Sequence, residues 1–123
     1  MLSLDEALRG LSSAQEKLRN ATAIISPVIM SEQMIRLSQY VGALDEHLAE
    51  YEKEYDIQLA AKILNKHKEG MKISPAETLS KMELAEVRGQ ISYLSRISSS
   101  AWRQVNVIQS RIQHLRTESM TNV

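Results

Sequence analysis

The residue types in this sequence best suited to binding chemistry are its cations. Arg88, Arg96, Arg103 and Arg111 are separated by eight, seven and eight residues. On a helix turning about 100° per residue they stay within a sector of roughly 140°. Between Arg88 and Arg116 there are five arginines and no acid. Guanidinium groups repeated along a rod can track a phosphate backbone, each neutralised phosphate adding salt-dependent affinity. A second basic group, Lys62, Lys66, Lys68 and Lys72, gathers around a predicted turn. The competing destination for the arginines is the acids Glu46, Glu50, Glu54 and Asp56, within one chain or between chains, and the sequence does not choose between the two.

The charge balance sharpens this. Net charge is zero, yet residues 1 to 57 hold ten acids against five Lys/Arg, and residues 58 to 123 hold the reverse. Such asymmetry points to polyanion binding or to electrostatic pairing between subunits.

Other reactive side chains are sparse. His47 with Glu46 and Glu50 is read as a solvated helix face rather than a metal site. The chain has no Glu-x-x-His pair of the di-iron bundle type, no His-Glu-x-x-His and no glycine-rich phosphate loop. Ser95, Ser98, Ser99 and Ser100 are read as small side chains that let helices approach closely, and Trp102 as an interface ring before a base-stacking one. The expectation is a non-enzyme without metal or cofactor.

Three helices are predicted to carry these residues, over about 4–25, 32–68 and 75–117, in a single domain of residues 1–123 with a frayed tail at 118–123. Ser3 with Glu6 and Ser74 with Glu77 spell capping boxes, and Pro75 suits a first helical position. Pro27 is expected to end the first helix, Val28-Ile29-Met30 to be a connector, and Ser31 to cap the second helix. Leu84, Val87, Ile91, Leu94, Ser98, Ala101, Val105, Ile108, Ile112 and Leu115 alternate steps of three and four, the seam of a helix packed lengthwise on another. Met34, Leu37, Val41, Leu44, Leu48, Tyr51, Tyr55, Leu59 and Ile63 repeat it in the second helix, and Leu4, Leu8, Leu11, Gln15, Leu18, Thr22 and Ile25 in the first. Gly70 supplies the left-handed cap of a short turn, which forces its two helices antiparallel.

The predicted fold class is therefore all-α: a long, coiled-coil-like antiparallel hairpin with a shorter N-terminal helix. Apolar residues off the seams, among them Ile24, Ile29, Ile35, Ile57 and Val107, need covering, which suggests a homo-oligomer. Its expected interface is Ile97, Ala101, Trp102, Val105 and Ile108. The chain lacks cysteine, a basic leader followed by an apolar core, and any apolar run near the roughly 20 residues of a membrane span. A cytoplasmic protein without membrane contact is expected.

The order of a short helix, a long helix ending Leu59-Ala60-Ala61-Lys62-Ile63-Leu64, a Lys/Gly turn, and a last helix running through Ser100-Ala101-Trp102-Arg103 and Ser110-Arg111-Ile112-Gln113-His114-Leu115 resembles the UvsY-type recombination mediators of phages over about residues 40–116. More broadly, Tyr51 to Glu118 is similar to small helical phage proteins of unassigned role. The resemblance implies an oligomeric accessory protein in the host cell cytoplasm. Such a protein binds single-stranded DNA and helps load a recombinase onto strands covered by single-strand binding protein. By position it makes Lys62 and Lys66 DNA contacts. With so few aromatic rings, contacts to the backbone are expected to outweigh base stacking. The alternatives are a coiled-coil adaptor or assembly protein that binds a protein partner, and an inhibitor of a host nucleic-acid enzyme.

Overall fold

The structure is a computed structural model and describes residues 2–21 and 27–121. Four helices run in chain order, α1 (Leu4–Ala21), α2 (Pro27–Lys68), α3 (Ile73–Glu83) and α4 (Ala85–Thr121), with no strand among the described residues. The all-α expectation holds. Thr22, Ile24 and Ile25, expected at the end of the first helix and beyond its seam, lie outside the described residues.

The Ser3 cap forms as the sequence predicts. Its Oγ accepts the Glu6 N–H at 3.1 Å and donates to Glu6 Oε1 at 3.1 Å, and the Ser3 carbonyl receives the first helical bond from Ala7. The buried stripe of α1 is Ala7, Leu11, Ala14 and Leu18. Leu4, Leu8 and Gln15 of the expected seam flank it, half-buried. Alanines alternate with leucines along the stripe. A Cβ built on Gly10 would meet the Tyr40 ring at 2.2 Å, so a side chain at residue 10 requires that ring to shift.

Helix α2 begins at Pro27, five residues before the predicted start. Proline's missing N–H is one of the donors that a helix start leaves unpaired in any case, and its φ is already helical. Val28-Ile29-Met30 is thus the first turn, not a connector, and Met30 is fully buried. Tertiary burial of that methionine outweighs the local stop signal.

The helix ends in a Schellman motif: Met71 N–H bonds to the Lys66 carbonyl at 3.0 Å, Gly70 N–H to the His67 carbonyl at 3.0 Å, and Gly70 has φ 101°. With Nδ1 protonated, the His67 ring also donates to the Met71 carbonyl at 3.0 Å.

The last predicted helix is two. Its start is Ile73, with Lys72 as the N-cap and no side-chain cap bond, so the Ser74–Glu77 capping box does not form. Pro75 still falls in the first turn, where it removes no helical bond, and the Ser74 carbonyl instead accepts from Thr78 Oγ1 at 3.2 Å. The break is at Leu84, where the backbone slackens to φ −99° and ψ 10° while Leu84 N–H still reaches Ser80 and Arg88 N–H still reaches Leu84. The buried residues Ala76, Ser80 and Leu84 succeed one another by steps of four. Consecutive fours rotate an apolar stripe around the helix, and a local relaxation is where such drift is absorbed. At the far end α4 continues to Thr121, past the predicted stop at 117. His114 pairs with Glu118 one turn on, and Thr117 Oγ1 donates to the Gln113 carbonyl.

Two compact units divide the chain. The first, residues 1–45 with 97–123, packs α1 with the opening of α2 and the closing part of α4. Its core holds Leu11, Leu18, Met30, Leu37, Val41, Leu44, Ala101, Val105, Ile108 and Ile112. The second, residues 46–96, is a helical hairpin made by the rest of α2, the Gly70 turn, α3 and the start of α4. Leu48, Tyr55, Ala76, Leu84, Ile91 and Leu94 are its buried apolar residues. Tyr55 meets Arg88 while Lys62 and Lys66, further along α2, meet Glu83, so the two arms of this unit run antiparallel.

Candidate nucleic-acid interface

The predicted phosphate contacts divide according to what already holds them. Lys62 and Lys66 converge on one carboxylate, Glu83, with Nζ to oxygen distances of 3.0 and 2.9 Å. The hydrogen bond from Lys66, then that from Lys62, keeps the Glu83 carboxyl below the usual carboxylate range. Lys66 is also largely covered, its side chain 16% exposed. The two lysines given DNA contacts by the resemblance are thus engaged in closing the hairpin. Glu83 is the residue the sequence reading missed. Its signal was available, since folding the chain back at Gly70 places residue 83 across from 62 and 66. Lys68 and Lys72 are exposed and have no ion-pair partner among the described residues.

On α4 the arginines project outward. In the hairpin unit, the Arg88 guanidinium lies 5.5 Å from the centre of the Tyr55 ring, a cation–π contact that leaves its N–H donors open to other acceptors. Arg96 is exposed in the same unit, and Arg103 and Arg111 are exposed in the other. Among the described residues these three have no ion-pair partner, and Glu46, Glu50, Glu54 and Asp56 have none either. Pairing of Arg96, Arg103 and Arg111 with these α2 acids inside one chain, the intrachain half of that expected destination, is absent among the described residues. A bare guanidinium on a helix surface presents five donors in a plane, which suits bidentate contact with phosphate oxygens.

Trp102 is held at its polar edge. Its Nε1 donates to Asp45 Oδ2 at 2.8 Å, and Ser98 Oγ donates to the other Asp45 oxygen. Ser98 is buried by this arrangement, whereas Ser95, Ser99 and Ser100 face outward, so only one of the four serines lies where helices meet. The expected oligomer interface is largely spent on the chain itself: Ala101, Val105 and Ile108 are buried in the first unit's core and Ile97 is half-buried, leaving Trp102 at 37% exposure. Most of the seam is buried within the chain, but Tyr51 and Val87, expected on it, are exposed.

His47 stacks on Tyr51, with ring centres 6.3 Å apart. Among the described residues no group of three or more histidines and acids is placed to hold a metal ion. A small cleft of about 50 Å³ between α1 and α2 is lined by Ser13, Lys17, Gln33, Arg36 and Tyr40, and the buried Oε1 of Gln33 has no hydrogen-bond partner. Among the described residues no helix is long and apolar enough to cross a membrane.

Compared with protein-family models, with curated proteins and with solved structures, the chain matches none.

Proposed function

We propose that this protein is a non-enzymatic, oligomeric accessory protein that binds single-stranded DNA through the arginine-bearing surface of α4. The observation that carries the reading is that Arg96, Arg103 and Arg111 are exposed without an acidic partner among the described residues. The turn lysines Lys62 and Lys66, by contrast, are held by Glu83, so Lys68, Lys72 and the arginines are the contacts. Binding is to the strand's phosphates, with the bases left outward. A role in phage recombination or replication, in which the protein helps a recombinase displace single-strand binding protein, rests on the resemblance over residues 40–116. Fluorescence anisotropy of a labelled single strand, titrated at several salt concentrations, tests the binding. Each phosphate-neutralising cation contributes about −0.7 to the slope of log affinity against log salt, so Arg96→Ala/Arg103→Ala/Arg111→Ala flattens that slope by about 2. No binding at low salt and high protein concentration refutes the proposal.

A helical adaptor that binds protein is the second reading, favoured by the half-exposed Ile57 and Leu64 on α2. It predicts that Arg96→Glu/Arg103→Glu disrupts assembly or partner capture. A variant that stays assembled and loses only nucleic acid excludes it.

A further inference from the structure

The hairpin unit leaves one apolar helix face uncovered. On α2, Tyr55, Leu59, Lys62, Ile63 and Lys66 turn inward, buried or half-buried. Ile57, Ala60, Ala61 and Leu64 lie on the other side of the helix, separated from that seam by roughly 180° at 100° per residue. Ile57 is 54% exposed and Leu64 52% exposed, and both alanines are exposed. The spacing of 57, 60, 61 and 64 is that of a helix made to pack a second time.

The charges beside this face say what packs there. On this side of α2, Glu46, Glu50 and Glu54 precede the apolar residues and Lys68 follows them, whereas Lys62 and Lys66 face the hairpin seam, where Glu83 holds them. The face therefore has an acidic end and a basic end with small apolar residues between them, and it is complementary to itself when reversed. We infer that two copies of this chain associate through the outer face of α2, antiparallel, about a two-fold axis close to Leu59. In this register Ile57 packs on Ala61 of the other copy, Leu64 on the aliphatic stem of Glu54, and Glu50 lies opposite Lys68. The alanines admit a close helix approach, and the isologous geometry satisfies both ends at once. A parallel pairing instead stacks acid on acid and lysine on lysine, and is disfavoured. Glu50 and Lys68 have no ion-pair partner among the described residues, so neither must break a contact to engage. The face is small beside the roughly 800 Å² per partner of a standard interface, as in weak, transient associations. This inference goes beyond the nucleic-acid reading and does not depend on it. A dimer would nonetheless carry two arginine surfaces on one particle, and weak phosphate contacts gain by that multivalency.

Sedimentation equilibrium of the whole chain without nucleic acid, from about 10 µM to about 1 mM, is expected to show a monomer–dimer equilibrium. Leu64→Lys weakens association by roughly tenfold or more, with helicity by circular dichroism unchanged because the site is on the surface. Lys68→Glu weakens it as well, and Glu50→Lys/Lys68→Glu restores it. In a mixture of Glu50→Cys and Lys68→Cys chains, one of them tagged, oxidation yields the mixed disulfide ahead of either homodimer. A chain that remains monomeric throughout overturns the inference. So does a dimer indifferent to Leu64→Lys, or a double charge reversal as weak as the single one, or cross-linking that favours the homodimers. DNA binding that fails while these results hold removes the nucleic-acid reading alone.

Discussion

Asp45 joins two side chains of the first unit, Ser98 and Trp102, and replacing it with alanine measures what that junction contributes. Its two carboxylate oxygens accept from Ser98 Oγ and from Trp102 Nε1. A hydrogen bond to a charged group contributes about 1.5–3 kcal/mol when well shielded. Asp45 is only half-buried and Trp102 is 37% exposed, so water competes for part of this and about 1 kcal/mol per bond is the appropriate figure. The Ser98 side is the dearer one, because Ser98 is buried and its hydroxyl is left without an acceptor. The expected loss for Asp45→Ala is about 2 kcal/mol, which for a chain of this size lowers Tm by roughly 6–10 °C. Asp45→Asn keeps one carbonyl oxygen and loses about half as much. Thermal unfolding followed by circular dichroism reads the stability. Trp102, the single tryptophan, reports locally, since its freed indole becomes more mobile and more accessible to a soluble quencher. A Tm within about 2 °C of the parent, with unchanged quenching, refutes the assignment of Asp45 as the acceptor that fixes Trp102.

Two further perturbations probe the helix contacts. Gly10→Ala gains about 1 kcal/mol of helix propensity but drives a methyl group into the Tyr40 ring, an overpacking cost of about 1–3 kcal/mol, so the variant is expected to be neutral to about 2 kcal/mol less stable in denaturant unfolding; Gly10→Ala with Tyr40→Leu recovers the propensity gain. At the hairpin, Glu83 has a lowered pKa in the folded state, so the stability it contributes is present above its unfolded value near 4.5 and is lost as pH falls through the lower folded value. Glu83→Gln therefore reduces the fall of stability below about pH 4.5 in acid titrations of the melting temperature. It also frees Lys62 and Lys66, so it raises affinity for a single strand at neutral pH if the turn lysines reach phosphate.

Periodicity alone carried most of the core. The steps of three and four picked out Leu37, Val41, Leu44, Leu48 and Tyr55 on α2, and Leu84, Ile91, Leu94, Ser98, Ala101, Val105, Ile108 and Ile112 at the start of and along α4, all of them buried. This works because 3.6 residues per turn ties sequence spacing directly to one side of a helix. The antiparallel return was legible for a similar reason, since Gly70 has the positive φ that a Schellman cap demands. Where two local signals competed, the chain's own symbols were insufficient. Pro27 opens α2, because Met30 is buried one turn later. Ser74 and Glu77 hold a capping-box spacing that goes unused, because the helix has already begun at Ile73.

The partners of the charged groups belonged wholly to the tertiary structure. Sequence reasoning marked both residues 62–72 and Arg88 to Arg111 as basic surfaces and favoured the turn, and only the fold separates the two lysines held by Glu83 from arginines left exposed. It also turned Ala101, Val105 and Ile108 from candidate interface into core, and left Ile57 and Leu64 on the outside. A sequence determines how often a side chain returns to one face of its helix, a property of local geometry. Which helix covers that face, and which acid reaches which base, depends on distances between residues far apart in the chain, and those exist only once the helices have packed.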